Sequence, residues 1–151
     1  MARPPRAPTV QFSKFYVRLS DGAVAPAFIA PCGFTSKSFS RSKTFGETNV
    51  PACPDEDKPS WTERDVQSMT SSISGDGVLM KSAVATWEAA LASVESIECE
   101  VELVYPDGDS ELYTGFYHLE SFEITGTKGE RVTASIAMQS DGEVTYSRET
   151  A

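Results

Sequence analysis

Residues 34–45 read FTSKSFSRSKTF, and their alternation decides the fold. Even positions carry Ser36, Ser38, Ser40, Ser42 and Thr44; odd positions carry Lys37, Phe39, Arg41, Lys43 and Phe45. A period of two is the mark of an extended strand, whose side chains point alternately to opposite faces. One face here is small and hydroxylated, and the other mixes aromatic rings with cations. Residues 66–74, VQSMTSSIS, repeat the device with Val66, Ser68, Thr70, Ser72 and Ser74 on one side. Segments 34–46 and 64–74 therefore read as the two arms of a long hairpin. Residues 47–61 between them hold three prolines and the run Asp55-Glu56-Asp57. Proline cannot donate to a ladder, so a loop without strand structure is expected there.

Working outward, residues 12–20 set Phe15, Val17 and Leu19 against Lys14 and Arg18, a half-buried strand ending at Ser20-Asp21-Gly22. Residues 1–11, rich in Pro and Arg, predict a flexible arm, and residues 23–33 an irregular stretch. Gly75-Asp76-Gly77 reads as a turn. Residues 81–92 are the one helix candidate, with Val84, Trp87 and Leu91 on a stripe and Ala83, Ala89, Ala90 and Ala92 adding propensity. Residues 97–105 alternate Ile97, Cys99, Val101, Leu103 and Tyr105 with Glu98, Glu100 and Glu102. After a turn at 106–109, residues 112–125 read as strand with Phe122 and Ile124 inward. Residues 132–139 set Val132, Ala134, Ile136 and Met138 against Arg131, Thr133, Ser135 and Gln139, and 144–146 form a short last strand. Six or seven strands, one helix and no repeat predict a mainly β, two-sheet β-sandwich or barrel with one flanking α-helix and a long hairpin loop. Residues 12–151 form a single domain in this reading. The candidate core is Phe39, Phe45, Val84, Trp87, Leu91, Val101, Leu103, Phe122, Ile124, Ile136 and Met138.

The net charge is −9 over 151 residues, and it is unevenly spread. Residues 1–46 hold seven bases and one acid, while residues 47–151 hold six bases and 21 acids. Such asymmetry suits complementary surfaces within or between subunits. It argues against nucleic-acid binding by counterion release, which needs clustered cations. No run of 18 apolar residues appears, so no spanning helix is expected. The start, MARPPRAPTV, lacks the apolar run of a secretory signal, which predicts an intracellular product.

Chemistry is sparse. His118 is the one histidine, and no GxSxG or phosphate-cradling glycine loop is present. Cys32, Cys53 and Cys99 have no metal-ligand spacing and read as buried or incidental thiols, with a Cys32–Cys53 bridge as the alternative. Asp107, Asp109 and Glu111 alternate as calcium ligands do, but the rest of an EF-hand loop is missing. No enzyme activity, cofactor or metal is expected. The Glu98/Glu100/Glu102 ladder cannot be buried unpaired and reads as an outward face, solvated or matched to the cations of residues 1–46.

Several segments together resemble phage tail tube proteins. They are Cys32-Gly33-Phe34-Thr35-Ser36-Lys37-Ser38, Val50-Pro51-Ala52-Cys53-Pro54-Asp55, Trp61-Thr62-Glu63-Arg64-Asp65-Val66, Ser74-Gly75-Asp76-Gly77-Val78-Leu79, Ser121-Phe122-Glu123-Ile124-Thr125-Gly126 and Gln139-Ser140-Asp141-Gly142-Glu143-Val144. The likeness spans residues 32–146 in order and is closest to tubes of siphophages and gene transfer agents. It implies a structural virion protein in hexameric rings stacked into a tail tube, with a hairpin loop reaching the next ring. It also implies a tape measure protein inside, tail tip or baseplate and tail terminator proteins at the ends, and DNA passing transiently. The implied location is the virion tail, assembled in the host cytoplasm, away from membranes. On this reading the lumen face is Ser36, Ser38, Ser40, Ser42, Thr70 and Ser72, joined by Glu123, Thr133, Ser135 and Gln139. The inter-ring loop is Glu47, Asn49, Asp55, Glu56, Asp57 and Lys58. A tail terminator or other ring-forming tube component is the near alternative, and a β-sandwich carbohydrate-binding module, using Tyr113, Phe116 and Tyr117, the distant one.

Overall fold

The computed structural model describes residues 2, 7–20, 28–29, 31 and 33–150. A short 3-10 turn at Phe12–Lys14 leads into β1 (Phe15–Ser20), followed by β2 (Phe28–Ile29), β3 (Phe34–Val50) and β4 (Trp61–Val78). Then come α1 (Lys81–Ala92), β5 (Ile97–Val104), β6 (Ser110–Thr125), β7 (Thr133–Ser140) and β8 (Thr145–Glu149). The hydrogen-bonded path is β2-β1-β5-β6-β7-β4-β3, and β8 pairs the first half of β6. Every pairing is antiparallel.

This path curls until its ends meet. Lys37 Nζ on β3 donates to the Phe15 carbonyl on β1 at 2.8 Å. The Phe39 ring on β3 lies 4.9 Å from that of Tyr113 on β6. The two halves of the path thus become facing layers, the sandwich or barrel that the alternation predicts. Val17, Leu19, Cys99, Val101, Tyr113, Tyr117 and Leu119 from one half and Ile73, Ile136 and Met138 from the other fill the space between them. α1 packs against β6 through Ala83, Trp87 and Ala90, with the Trp87 ring edge-on to Phe34 at 5.7 Å. Gly33 immediately precedes β3; its φ of 103° suits glycine, and its carbonyl takes the Val78 N–H at 2.9 Å.

Several sequence expectations need correction. The hairpin is longer than the prolines suggest: residues 47–50 and 61–64 are strand, in register Glu47↔Arg64 through Val50↔Trp61. Cross-strand side chains hold this extension, with Arg64 Nε donating to Glu47 Oε1 at 3.1 Å and Thr62 Oγ1 to Asn49 Oδ1 at 2.9 Å. Glu47 and Asn49 therefore sit in a ladder, and the connecting loop is 51–60. Gly75-Asp76-Gly77 is strand too, because both glycines are buried where the ladder to β3 runs closest. Phe45 is 49% exposed, since the hairpin has by then projected past the layers. Leu91 is exposed because the buried stripe of α1 centres on its alanines, which let the helix sit close. Ile124 is half exposed near the end of β6, beyond the reach of β5. Among the described residues there are eight strands, the extra one being the short β2. Residues 1 and 3–6 of the expected 1–11 arm, and Cys32, lie outside the described residues. Cys53 is an exposed free thiol.

Candidate functional site

Register decides which side chains share a face. In an antiparallel pair, residues directly opposite point the same way. Ser38 faces Ser74, Ser40 faces Ser72, Ser42 faces Thr70 and Thr44 faces Ser68. On the next ladder Ser72 faces Gln139, Asp76 faces Ser135 and Val78 faces Thr133. On the third, Gln139 faces His118, Ser135 faces Glu123 and Thr133 faces Thr125. Thus Ser36, Ser38, Ser40, Ser42, Thr70, Ser72, Glu123, Thr133, Ser135 and Gln139 all lie on one side of four adjacent strands, β3-β4-β7-β6. The opposite side of β4, β7 and β6 carries the buried Ile73, Ile136, Met138 and Leu119.

The face is a laced surface rather than a set of free hydroxyls. Ser40 Oγ and Ser72 Oγ are 2.6 Å apart, and Ser42 Oγ and Thr70 Oγ1 3.0 Å. Thr44 and Ser68 bond in the same way. Gln139 Nε2 donates to Glu120 Oε2 at 3.0 Å. Each bond occupies polar groups that would otherwise hold a passing ligand. The acids Asp76 and Glu123 share this side with His118, whose Nε2 is 3.3 Å from Asp141 Oδ2. Lys37, Arg41 and Lys43 alternate to the other side of β3. There Arg41 stacks 4.5 Å over the Tyr113 ring and Lys37 sits 4.9 Å over that of Phe12. Asp76 was missed by sequence reading because two glycines disguise its strand; the run Ser74-Asp76-Val78 against Ile73-Gly75-Gly77 was the available signal.

Elsewhere the polar clusters are explained locally. Arg18 lies between Glu100 and Glu102, at 3.5 and 2.5 Å, so an early cation already matches part of the glutamate ladder. Asp107 Oδ1 takes the Asp109 N–H within the turn at 3.1 Å. Glu111 accepts the Tyr105 and Tyr146 hydroxyls at 2.8 and 3.0 Å, which hold its carboxyl below the usual range. Among the described residues no group of three metal-ligating side chains converges, and no helix is long and apolar enough to cross a membrane. In the loop, Asp55, Glu56, Asp57 and Lys58 are all exposed.

A family model described as phage tail tube protein matches residues 9–146. The chain belongs to the phage tail tube protein family. Its role is therefore that of a structural tail tube component. No curated protein sequence matches this tail tube protein at a significant level. Among solved structures, it is similar to the tail of an empty gene transfer agent particle, refined helically with C6 symmetry, at TM-score 0.73 and 16% identity, covering 92% of this chain and 99% of that one. It is similar to a chain of the native gene transfer agent virion at TM-score 0.68 and 18% identity, with the same coverage. It is also similar to the SPP1 tail tube at TM-score 0.65 and 14% identity, covering 95% of this tail tube protein and 81% of that chain.

Proposed function

We propose that six copies of this chain close into a ring, that rings stack into the tube, and that the hydroxylated face of β3-β4-β7-β6 lines the channel. The observation that carries this is the gathering of short polar side chains, already bonded to one another, on one exposed four-strand face. The sixfold symmetry follows the similar gene transfer agent tail. Six copies contribute about 24 strands, and at ~4.8 Å each the circumference is ~115 Å and the backbone diameter ~37 Å, more with tilt. Side chains as short as serine leave room for a nucleic-acid duplex. The lining carries Asp76 and Glu123 while the cations of β3 alternate away, so phosphates meet no counter-charge and slide. Asp55, Glu56, Asp57 and Lys58 dock on the neighbouring ring. A tape measure protein occupies the channel before DNA does, terminator and baseplate proteins close the ends, and assembly takes place in the host cytoplasm. The work is structural, with no reaction catalysed.

Electron microscopy of the concentrated protein and of particles carrying it tests the reading. Long tubes with sixfold end views are expected. Single capping rings would assign the chain to a terminator instead, and isolated globules at every concentration would remove the assembly altogether.

A further inference from the structure

Behind the hydroxylated face, the root half of the hairpin and the β5–β6 layer enclose an open groove of about 680 Å³. Arg41, Lys43, Phe45, Met69, Leu103 and Tyr113 line it. Phe45 and Met69 are 49% and 66% exposed, so the groove is apolar and uncovered in the single chain. Arg41 and Lys43 form no ion pair among the described residues. The hairpin tip has the opposite character. Its loop carries Asp55, Glu56 and Asp57, again without an ion pair, beside Val50 at 40% exposure and Trp61 at 84%. One surface is apolar with two cations outside any ion pair; the other is apolar with three carboxylates outside any ion pair.

The two cannot meet within one molecule. β3 continues from Phe45, at the edge of the groove, to Val50, which sets the base of the tip about 17 Å from the groove. We propose that the groove receives the 50–61 tip of a second copy, with Arg41 and Lys43 facing its Asp55, Glu56 and Asp57 and with Trp61 entering the apolar floor. This rests on the tube reading and deepens it by naming the receptor for the loop. A contact between two different surfaces of the same molecule is head-to-tail and does not close on itself in a dimer, so it propagates. Exposed ion pairs contribute little, so the apolar floor supplies the adhesion and the charges set the orientation.

The test is a charge exchange, read by microscopy and by Trp61 fluorescence, with the buried Trp87 as a constant background. Lys43→Glu leaves the Arg41–Tyr113 stack alone and is expected to fold, by circular dichroism, yet to cut tube yield on the order of tenfold. Asp55→Lys with Glu56→Lys should do the same. Combining the two sets should restore tubes and the blue shift of Trp61 emission that accompanies wild-type assembly. A second arm introduces Met69→Cys in a Cys32→Ser background. Oxidising assembled tubes should then link position 69 to Cys53 of the next copy and give a ladder of covalent multimers. Normal tubes from Lys43→Glu, or an exchange that restores nothing, or wild-type-like tubes of the Met69→Cys protein with no ladder, would overturn the groove while leaving the tube reading intact. Failure of wild-type protein to form rings or tubes would instead count against the tube reading itself.

Discussion

The Tyr117 and Ser71 hydroxyls lie 2.8 Å apart, buried directly behind the exposed Ser40–Ser72 pair. Ser71 Oγ donates to the Ser40 carbonyl at 2.9 Å, so the Tyr117 hydroxyl is the donor to Ser71. The Ser71 N–H donates to Ser140 Oγ at 2.9 Å. One buried serine thus ties β3, β4, β6 and β7 together behind the polar face. Tyr117→Phe removes a donor and leaves Ser71 bonded, a loss of about 0.5–1.5 kcal/mol. Ser71→Ala strands the phenol hydroxyl in the core, at about 1–3 kcal/mol. Urea unfolding of the monomer should rank Ser71→Ala as the more destabilised. The reverse order would show that the phenol, and not the serine, holds the junction.

The root of the hairpin depends on backbone proximity. A Cβ on Gly77 would lie 2.1 Å from the Gly33 carbonyl oxygen and 2.5 Å from Phe34 Cα. Both are main-chain atoms, so no rotamer change relieves the clash. At Gly129, φ is +88° but a Cβ would meet nothing within 4 Å. Gly129→Ala should therefore cost only the left-handed backbone penalty, about 1–2 kcal/mol. Gly77→Ala should cost more than that, about 3 kcal/mol or above, by opening the β3–β4 register. Thermal melts of the two variants check the order; equal losses would mean that the ladder shifts to admit the methyl group.

Alkali should weaken the fold through Cys99. Burial, with the nearby Glu98 charge second, raises its thiol pKa to about 12. In the unfolded chain it returns to about 8.5. The unfolded state thus loses its proton first, so the stability contribution is intact below pH ~8.5 and disappears as pH rises towards 12. Burial raises Tyr117 in the same direction, adding to the loss above pH ~10. Urea midpoints should fall from pH 8.5 to 10, and Cys99→Ala should flatten that fall even though its midpoint at pH 7 is lower. A slope unchanged by Cys99→Ala would remove this thiol as the cause.

How much of this was legible in advance depended on the length of each alternation. Residues 36–44 fixed both faces of β3 because nine consecutive positions obey one period, and register did the rest once β4 and β7 were in place. Glu123 and Gln139 could be put on the same face because they lie opposite buried residues of their own strands. The reading failed where a residue's usual habit conflicts with its neighbours. The prolines at 51, 54 and 59 hid the strand ends at Val50 and Trp61, and Gly75 and Gly77 looked like a turn although close packing is what requires them. Phe45 and Leu91 have core chemistry but are exposed in the single chain, because a hydrophobic side chain does not say whether its cover comes from the same molecule. The groove was invisible in sequence, since it needs Arg41 and Met69 on the hairpin beside Leu103 from the other layer.

If the hydroxylated face lines the channel, adding cations there must hinder DNA without hindering assembly. Ser38 and Ser42 are exposed and spaced four residues apart on the same face of β3, so Ser38→Lys with Ser42→Lys adds two ammonium groups per copy to that face. Ser147 on β8 is exposed too, but its strand pairs the first half of β6, away from the four-strand face, so Ser147→Lys serves as the control for added charge alone. Both variants should give tubes of normal length by electron microscopy. Each phosphate contact that forms steepens the salt dependence of DNA binding, with log K changing by about 0.9 per log unit of salt. Tubes of the double variant should therefore retain DNA at low salt and release it as salt rises, and particles built from them should deliver DNA with efficiency reduced on the order of tenfold. Ser147→Lys should match wild type in both measurements. Normal delivery by well-formed double-variant particles would place this face away from the DNA path.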